Sequence, residues 1–250
     1  MTLEGKTILI TGAAGELGSR LIQAMIAAGA KAIIGIDVNA KKLDTMNSVH
    51  FSGFACDLTD YKQVHSCLEG VYAKYPTIDV LINNAGILHS APLVNILEKD
   101  DADLYRNAED WSRCLNTNLS STFYVTQFVA RKMVKARTHG VILNISSVSA
   151  EGTAGQSAYS ASKAGMEALT QVWAKELSGF GIRSIAIAPG YMDTPSTHAA
   201  VSEAQLKEIT GRIPMKKLGN PNSIIEACLF TINNEYINGT VLEVHGGLRV

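Results

Sequence analysis

Tyr159 and Lys163 stand four residues apart in Tyr159-Ser160-Ala161-Ser162-Lys163, and Ser146 lies thirteen residues before the tyrosine, closing the apolar run Val141 to Ile145. On a helix covering Ala158 to Phe180, positions i and i+4 share one face, so a phenol and an ammonium meet in one small site. A free phenol titrates near about 10 and is a poor acid or base at neutral pH. A cation held within about 4 to 6 Å favours the phenolate and brings Tyr159 towards the range where it passes a proton to or from a substrate oxygen. Ser146 would then hydrogen-bond that same oxygen. The plainer alternative is a tyrosine stacked on a lysine at the surface, a common arrangement for such a pair.

The elements that must position these groups read as β-rich runs alternating with helical patterns, which argues a parallel sheet covered by helices on both faces. Strands are expected at Thr7 to Thr11, Ala32 to Asp37, Phe51 to Asp57, Val80 to Asn83, Val141 to Ile145, Ile182 to Ala188 and Thr240 to Val244. Helices are expected at Glu16 to Ala28, Lys41 to Asn47, Tyr61 to Tyr75, Trp111 to Lys135, Ala158 to Phe180 and Ser223 to Asn233, with Thr59 and Asp60, Gly29, and Pro221 to Ser223 as caps. The first strand runs into Gly12-Ala13-Ala14-Gly15-Glu16-Leu17-Gly18 and then a helix. Backbone N–H groups at such a turn cradle a pyrophosphate, while glycines let phosphate and neighbouring strand come close. Asp37 closes the second strand, where a carboxylate can accept from both hydroxyls of an adenine ribose. Pro189-Gly190 turns the chain at the carboxyl edge of the sheet, where ligands sit in such folds.

Ser146, Tyr159-x-x-x-Lys163, Asn83-Asn84-Ala85-Gly86, Asn118 and Pro189-Gly190 together resemble the single-domain branch of the short-chain dehydrogenase/reductase family over the whole chain. The glycine spacing departs from that branch's T-G-x-x-x-G-x-G and matches the T-G-x-x-G-x-x-G of the extended branch, which places Glu16 near an anionic ligand. The resemblance implies a doubly wound Rossmann fold, a seven-stranded parallel sheet in one domain spanning 1–250. It implies an oxidoreductase interconverting a secondary alcohol and a ketone with NAD, in which Tyr159 moves the proton, Ser146 polarises the oxygen, and Lys163 holds the ribose and the Tyr159 charge. Asn118 would disturb its helix and hold a water linking the lysine to solvent. Asp57 and Leu58 would meet the adenine edge, Asn84, Ala85 and Gly86 would line the cofactor cleft, and Met192 and Thr194 would hold the nicotinamide carboxamide. Ser196 to Arg212 would be a mobile cover over the substrate. Substrates expected by resemblance are 3-oxoacyl or 3-hydroxyacyl thioesters, with sugars and polyols as the alternative. A catalytically silent NAD-binding regulator is the competing class, and the intact tetrad argues against it. The resemblance also implies a homotetramer, with Phe123, Val125, Phe128 and Val129 beside Met166, Leu169 and Trp173 as its apolar seams.

With 250 residues, 46% of them hydrophobic, the chain can bury one large core. A formal charge of −1 without basic or acidic blocks indicates neither a nucleic-acid footprint nor a membrane-surface patch, so a small-molecule partner is expected. Four scattered cysteines and six histidines show no metal-ligand spacing. No N-terminal apolar leader and no stretch of about 18 apolar residues stands out, so a soluble, cytoplasmic protein is expected. The polar run Glu98 to Asp103, within Ile87 to Asp110, reads as a solvated insertion loop, and His245 as a turn or interface residue.

Overall fold

The computed structural model describes residues 1–46, 48–94 and 102–250. In chain order the elements are β1 (Thr7–Thr11), α1 (Glu16–Ala27), β2 (Ala32–Asp37), α2 (Ala40–Thr45), β3 (Phe51–Ala55), α3 (Tyr61–Lys74), β4 (Val80–Asn83), α4 (Ala102–Leu115), α5 (Ser121–Ala136), β5 (Gly140–Ile145), α6 (Ser157–Leu177), β6 (Ile182–Pro189), α7 (Pro195–Ala200), α8 (Glu203–Arg212), α9 (Pro221–Asn233) and β7 (Val241–Val244). The seven strands form one parallel sheet in the order β3-β2-β1-β4-β5-β6-β7.

Side chains alternate across each strand, so each apolar run feeds two cores. Ile8 and Ile10 of β1 face a core completed by Leu21, Ile22 and Met25 of α1 and Ile224, Ile225 and Cys228 of α9. Leu9, between them, faces the opposite core with Val64 and Leu68 of α3, Val125, Val129 and Met133 of α5, and Trp173 of α6. β1, β4 and β5 are buried along their whole length, as central strands covered on both faces must be. The winding reverses between β1 and β4, which opens a crevice at the carboxyl ends of these strands.

Several boundaries differ from the sequence expectation. The helix expected from Trp111 already runs from Ala102, within the segment expected to be a loop, because Ala, Leu, Arg and Glu between 102 and 113 favour helix despite their polarity. It does not continue unbroken to Lys135, since a π turn at Asn116–Ser120 separates α4 from α5. The expected cover at Ser196 to Arg212 contains two helices. Thr194 caps α7, and Ser202 with Gln205 forms a reciprocal capping box on α8. The third strand stops at Ala55, Asn220 rather than Pro221 caps α9, and Asp60 caps α3 as expected. Asn47, the expected end of the second helix, and residues 95–101 of the polar run lie outside the described residues.

Candidate active site

The turn after β1 is shaped by contacts that only glycine allows. Gly12 has φ +64°, and a Cβ there would lie 2.8 Å from the Ala85 Cα; a Cβ on Gly18 would lie 2.2 Å from the Gly12 carbonyl oxygen. Gly15 stands at the N-cap of α1 and offers no side chain to the first-turn N–H groups. Those donors point to the crevice at the positive end of a helix, which suits an anion. Glu16 does not oppose it squarely, since its carboxylate lies 3.8 Å from Arg20 one turn along the helix.

Asp37, at the end of β2, accepts from the Ala14 N–H at 3.0 Å through one oxygen and from the Asn39 N–H at 2.9 Å through the other. It therefore ties the glycine turn to the second strand while leaving lone pairs free. Asn84 acts similarly from β4: its backbone N–H donates to Thr11 Oγ1 at 3.0 Å, and its side-chain amide donates to the Thr11 and Gly12 carbonyls, both at 3.1 Å. Between these anchors runs a cleft of about 690 Å³ lined by Gly12, Gly15, Glu16, Leu17, Asp37, Asp57, Leu58, Asn84, Ala85, Gly86 and Tyr159. Arg113 and Thr117 of the α4 and π-turn region, not foreseen from sequence, also line it. Gly18 packs under the turn instead, and Lys163, Pro189, Gly190, Met192 and Thr194 do not line this cleft. Gly190 and Met192 border a second cavity of about 240 Å³ on the other side of Tyr159. Thr194 lies at the α7 cap, where its hydroxyl accepts from the Thr197 N–H.

Tyr159 is thus the side chain shared by the two cavities. Lys163 is buried, with Nζ 5.7 Å from the Tyr159 ring centroid and 2.7 Å from the Ile145 carbonyl oxygen to which it donates. Burial holds its ammonium down to about 8. Burial pushes the Tyr159 phenol up, opposite in direction to the expected lowering, and the neighbouring Ser147 hydroxyl draws it back in part.

Ser147, not Ser146, is the serine beside Tyr159. Ser146 continues the sheet through its N–H to the Ile187 carbonyl, and its buried hydroxyl donates at 2.7 Å to Glu167, away from the tyrosine. The next residue of an extended chain points to the other face. Ser147 accordingly reaches the second cavity, accepts from the Ser149 N–H at 3.2 Å, and has its own proton left for the phenol or a ligand. The sequence signal was the tandem Ser146-Ser147; counting thirteen residues back from Tyr159 selects the member whose hydroxyl meets Glu167.

Asn118 is fully buried in the π turn. Its Oδ1 accepts from the Ile87 N–H at 2.8 Å, and its Nδ2 donates to the Ile87 carbonyl at 3.0 Å and to Ser162 Oγ at 3.1 Å. A Cβ on Gly86 would lie 3.2 Å from Asn118 Oδ1 and 3.6 Å from Lys163 Nζ, so the glycine lets the chain pass between them. His245 fills a turn as expected, bonding Glu243 at 2.8 Å and accepting from the Gly247 N–H.

Known proteins share this architecture over its full length. The short chain dehydrogenase family matches residues 6–205. The 3-oxoacyl-[acyl-carrier-protein] reductase FabG of Thermotoga maritima is 39% identical, covering 100% of both chains, and that of Salmonella typhimurium is 34% identical, covering 99% of both. An NAD+-bound xylitol dehydrogenase superposes with a TM-score of 0.88 at 26% identity, covering 99% of this chain and 100% of its own. A parallel sheet with its crevice at the β1–β4 reversal, an uncapped glycine turn over that crevice, and a half-buried Tyr159 beside buried Lys163 agree with these matches, and the chain belongs to the short chain dehydrogenase family, as an oxidoreductase of CH–OH groups that uses a nicotinamide cofactor.

Proposed function

We propose that the chain is a single-domain, NAD-dependent enzyme that interconverts a 3-oxoacyl thioester and the corresponding 3-hydroxy compound, with Tyr159 as the proton carrier. The observation that carries the chemistry is the position of Tyr159 between the two cavities, sharing the second with Ser147 and lying beside buried Lys163. The residues present fit a dinucleotide. The α1 N-terminus and Gly12 to Leu17 would hold the pyrophosphate, Asp37 the adenine ribose, and Asp57 and Leu58 the adenine edge. The cofactor supplies a hydride donor or acceptor at its nicotinamide. In the reductive direction Tyr159 Oη gives its proton to the substrate oxygen, while Ser147 Oγ donates a hydrogen bond to that oxygen. In the oxidative direction the phenolate takes the proton back. Lys163, pinned at the Ile145 carbonyl, stabilises the charge left on Tyr159, and Asn118 holds the Ile87 backbone that walls the site.

The reading of NAD over NADP rests on Asp37. A 2′-phosphate would meet a carboxylate already fixed by two backbone N–H groups, and Lys41 and Lys42 are exposed on α2 and do not line the cleft. NAD(H) should exceed NADP(H) by about 10²-fold or more in kcat/KM. Asp37→Ser combined with Val38→Arg should shrink or invert that ratio.

The full-length likeness to 3-oxoacyl-carrier-protein reductases supports the thioester assignment. The close superposition on a xylitol dehydrogenase supports polyols as the second reading. Assaying 3-oxoacyl thioesters, sugars and polyols against both nicotinamides by absorbance decides between them. Turnover confined to polyols would remove the thioester reading, and tight NADH binding without turnover of any substrate would remove both. The proposed setting is cytoplasmic and the proposed assembly a homotetramer. Among the described residues no helix is long and apolar enough to cross a membrane.

A further inference from the structure

The 240 Å³ cavity beside Tyr159 is walled by Leu88, Val148 and Met192 on its apolar side and by Ser149, Gln156, Tyr191 and Thr197 on its polar side. None of the described residues lining it carries a charge. Gln156 is the unusual member of this wall. It is 9% exposed, and its Oε1 is sealed from solvent without a hydrogen-bond partner. Although it stands at the N-cap of α6, its side chain caps nothing.

Its backbone is held from three sides. The N–H donates to the Thr153 carbonyl at 3.0 Å, the carbonyl accepts from the Ser160 N–H at 2.7 Å, and the segment pairs with Ala91. A rigidly held, buried amide with an unmet acceptor is costly to the fold and is explained when a ligand completes it. Turning the amide end over exchanges its oxygen and nitrogen, so it can accept from a hydroxyl or donate to a carbonyl.

We infer that Gln156 binds a second, uncharged oxygen function of the substrate, close to the carbon that carries the reacting alcohol or ketone, and that the cavity rejects a free carboxylate there. The inference rests on the assignment of that carbon to Tyr159 and Ser147. A carboxylate in this cavity would lose its hydration without gaining a cation, since Lys163 is committed to the Ile145 carbonyl and does not line the wall. The ester or thioester carbonyl of a 3-oxo compound, or the neighbouring hydroxyl of a polyol, meets the requirement. A simple ketone leaves Gln156 unmatched.

The test compares ethyl acetoacetate, its free acid acetoacetate, and 2-pentanone as substrates of the full chain with NADH and with NADPH. The unmodified enzyme should prefer the ester to both of the others. Gln156→Met, close in length and apolar, should lower kcat/KM for the ester by about 10- to 100-fold and leave 2-pentanone within about threefold. Equal losses on all three substrates would make Gln156 merely structural and overturn the inference, as would acetoacetate matching the ester on the unmodified enzyme, a comparison that needs no variant. Absence of turnover with every ketone would instead overturn the assignment of the reacting carbon, and the inference with it.

Discussion

Ser146 and Ser147 are chemically identical neighbours, yet one hydroxyl is spent on Glu167 and the other faces Tyr159. Ser147→Ala should therefore lower kcat by about 10²-fold or more, since it removes a donor aimed at the reacting oxygen, whereas Ser146→Ala should cost less than about tenfold. Steady-state kinetics of the two variants checks this, and the reverse ranking would restore Ser146. Lys163 adds a pH-dependent signature. Its ammonium titrates at about 8 in the fold, below its ordinary value, so the folded chain holds fewer protons than the unfolded chain between that pH and the ordinary lysine value. Stability must then rise with pH through this window, by up to about 3 kcal/mol. Urea unfolding at pH 7.5 and 10.5 should show the unmodified chain gaining that amount relative to Lys163→Met, and parallel pH profiles would contradict it. The Tyr159–Lys163 pair was legible in the sequence because i, i+4 spacing is fixed by the helix. The choice of serine was not, because it depends on which face a strand presents as it ends.

At the scale of elements, the strands and the glycine turn were legible because their cause is local: apolar runs, and close approaches that exclude a Cβ. The resemblance implied a disturbed helix at Asn118, but its form as a π turn was not legible, because its partners, the Ile87 backbone and Ser162, lie far along the chain. The π turn lets the amide clamp Ile87 from both sides, and Ile87 borders the cofactor cleft. Asn118→Ala leaves the part-buried N–H and carbonyl of Ile87 without their partner and Ser162 with one bond fewer, and should cost about 1 to 3 kcal/mol of stability together with a fall in kcat. Thermal unfolding and kinetics measure the two effects, and an unchanged Tm would mean that the clamp is not holding the segment. Residues 102–110 belong to a segment read as a loop from its charge and Ser196 to Arg212 were read as a cover, but helix-forming residues in the first and the Thr194 and Ser202 caps in the second give helices.

For the whole molecule, the reversal of winding at β1 and β4 brings the glycine turn, Asp37, Asn84 and Tyr159 to one edge of the sheet, although they are spread across the first two thirds of the chain. The expected apolar seams need revision: Val125, Val129, Met166 and Trp173 are buried within the chain itself, while Tyr61, Phe123 and Val172 keep 51%, 40% and 43% exposure. The proposed homotetramer would have to cover such exposed residues of α3, α5 and α6; light scattering is expected to give the mass of four chains, and the mass of one would refute it. The central claim, that Tyr159 carries the proton of an alcohol–ketone reaction, is tested most directly by comparing Tyr159→Phe with the unmodified chain for NADH binding and for turnover of a 3-oxoacyl thioester. The variant should bind NADH nearly as tightly, since the ring still packs, and lose several orders of magnitude in kcat; near-normal turnover would contradict the account.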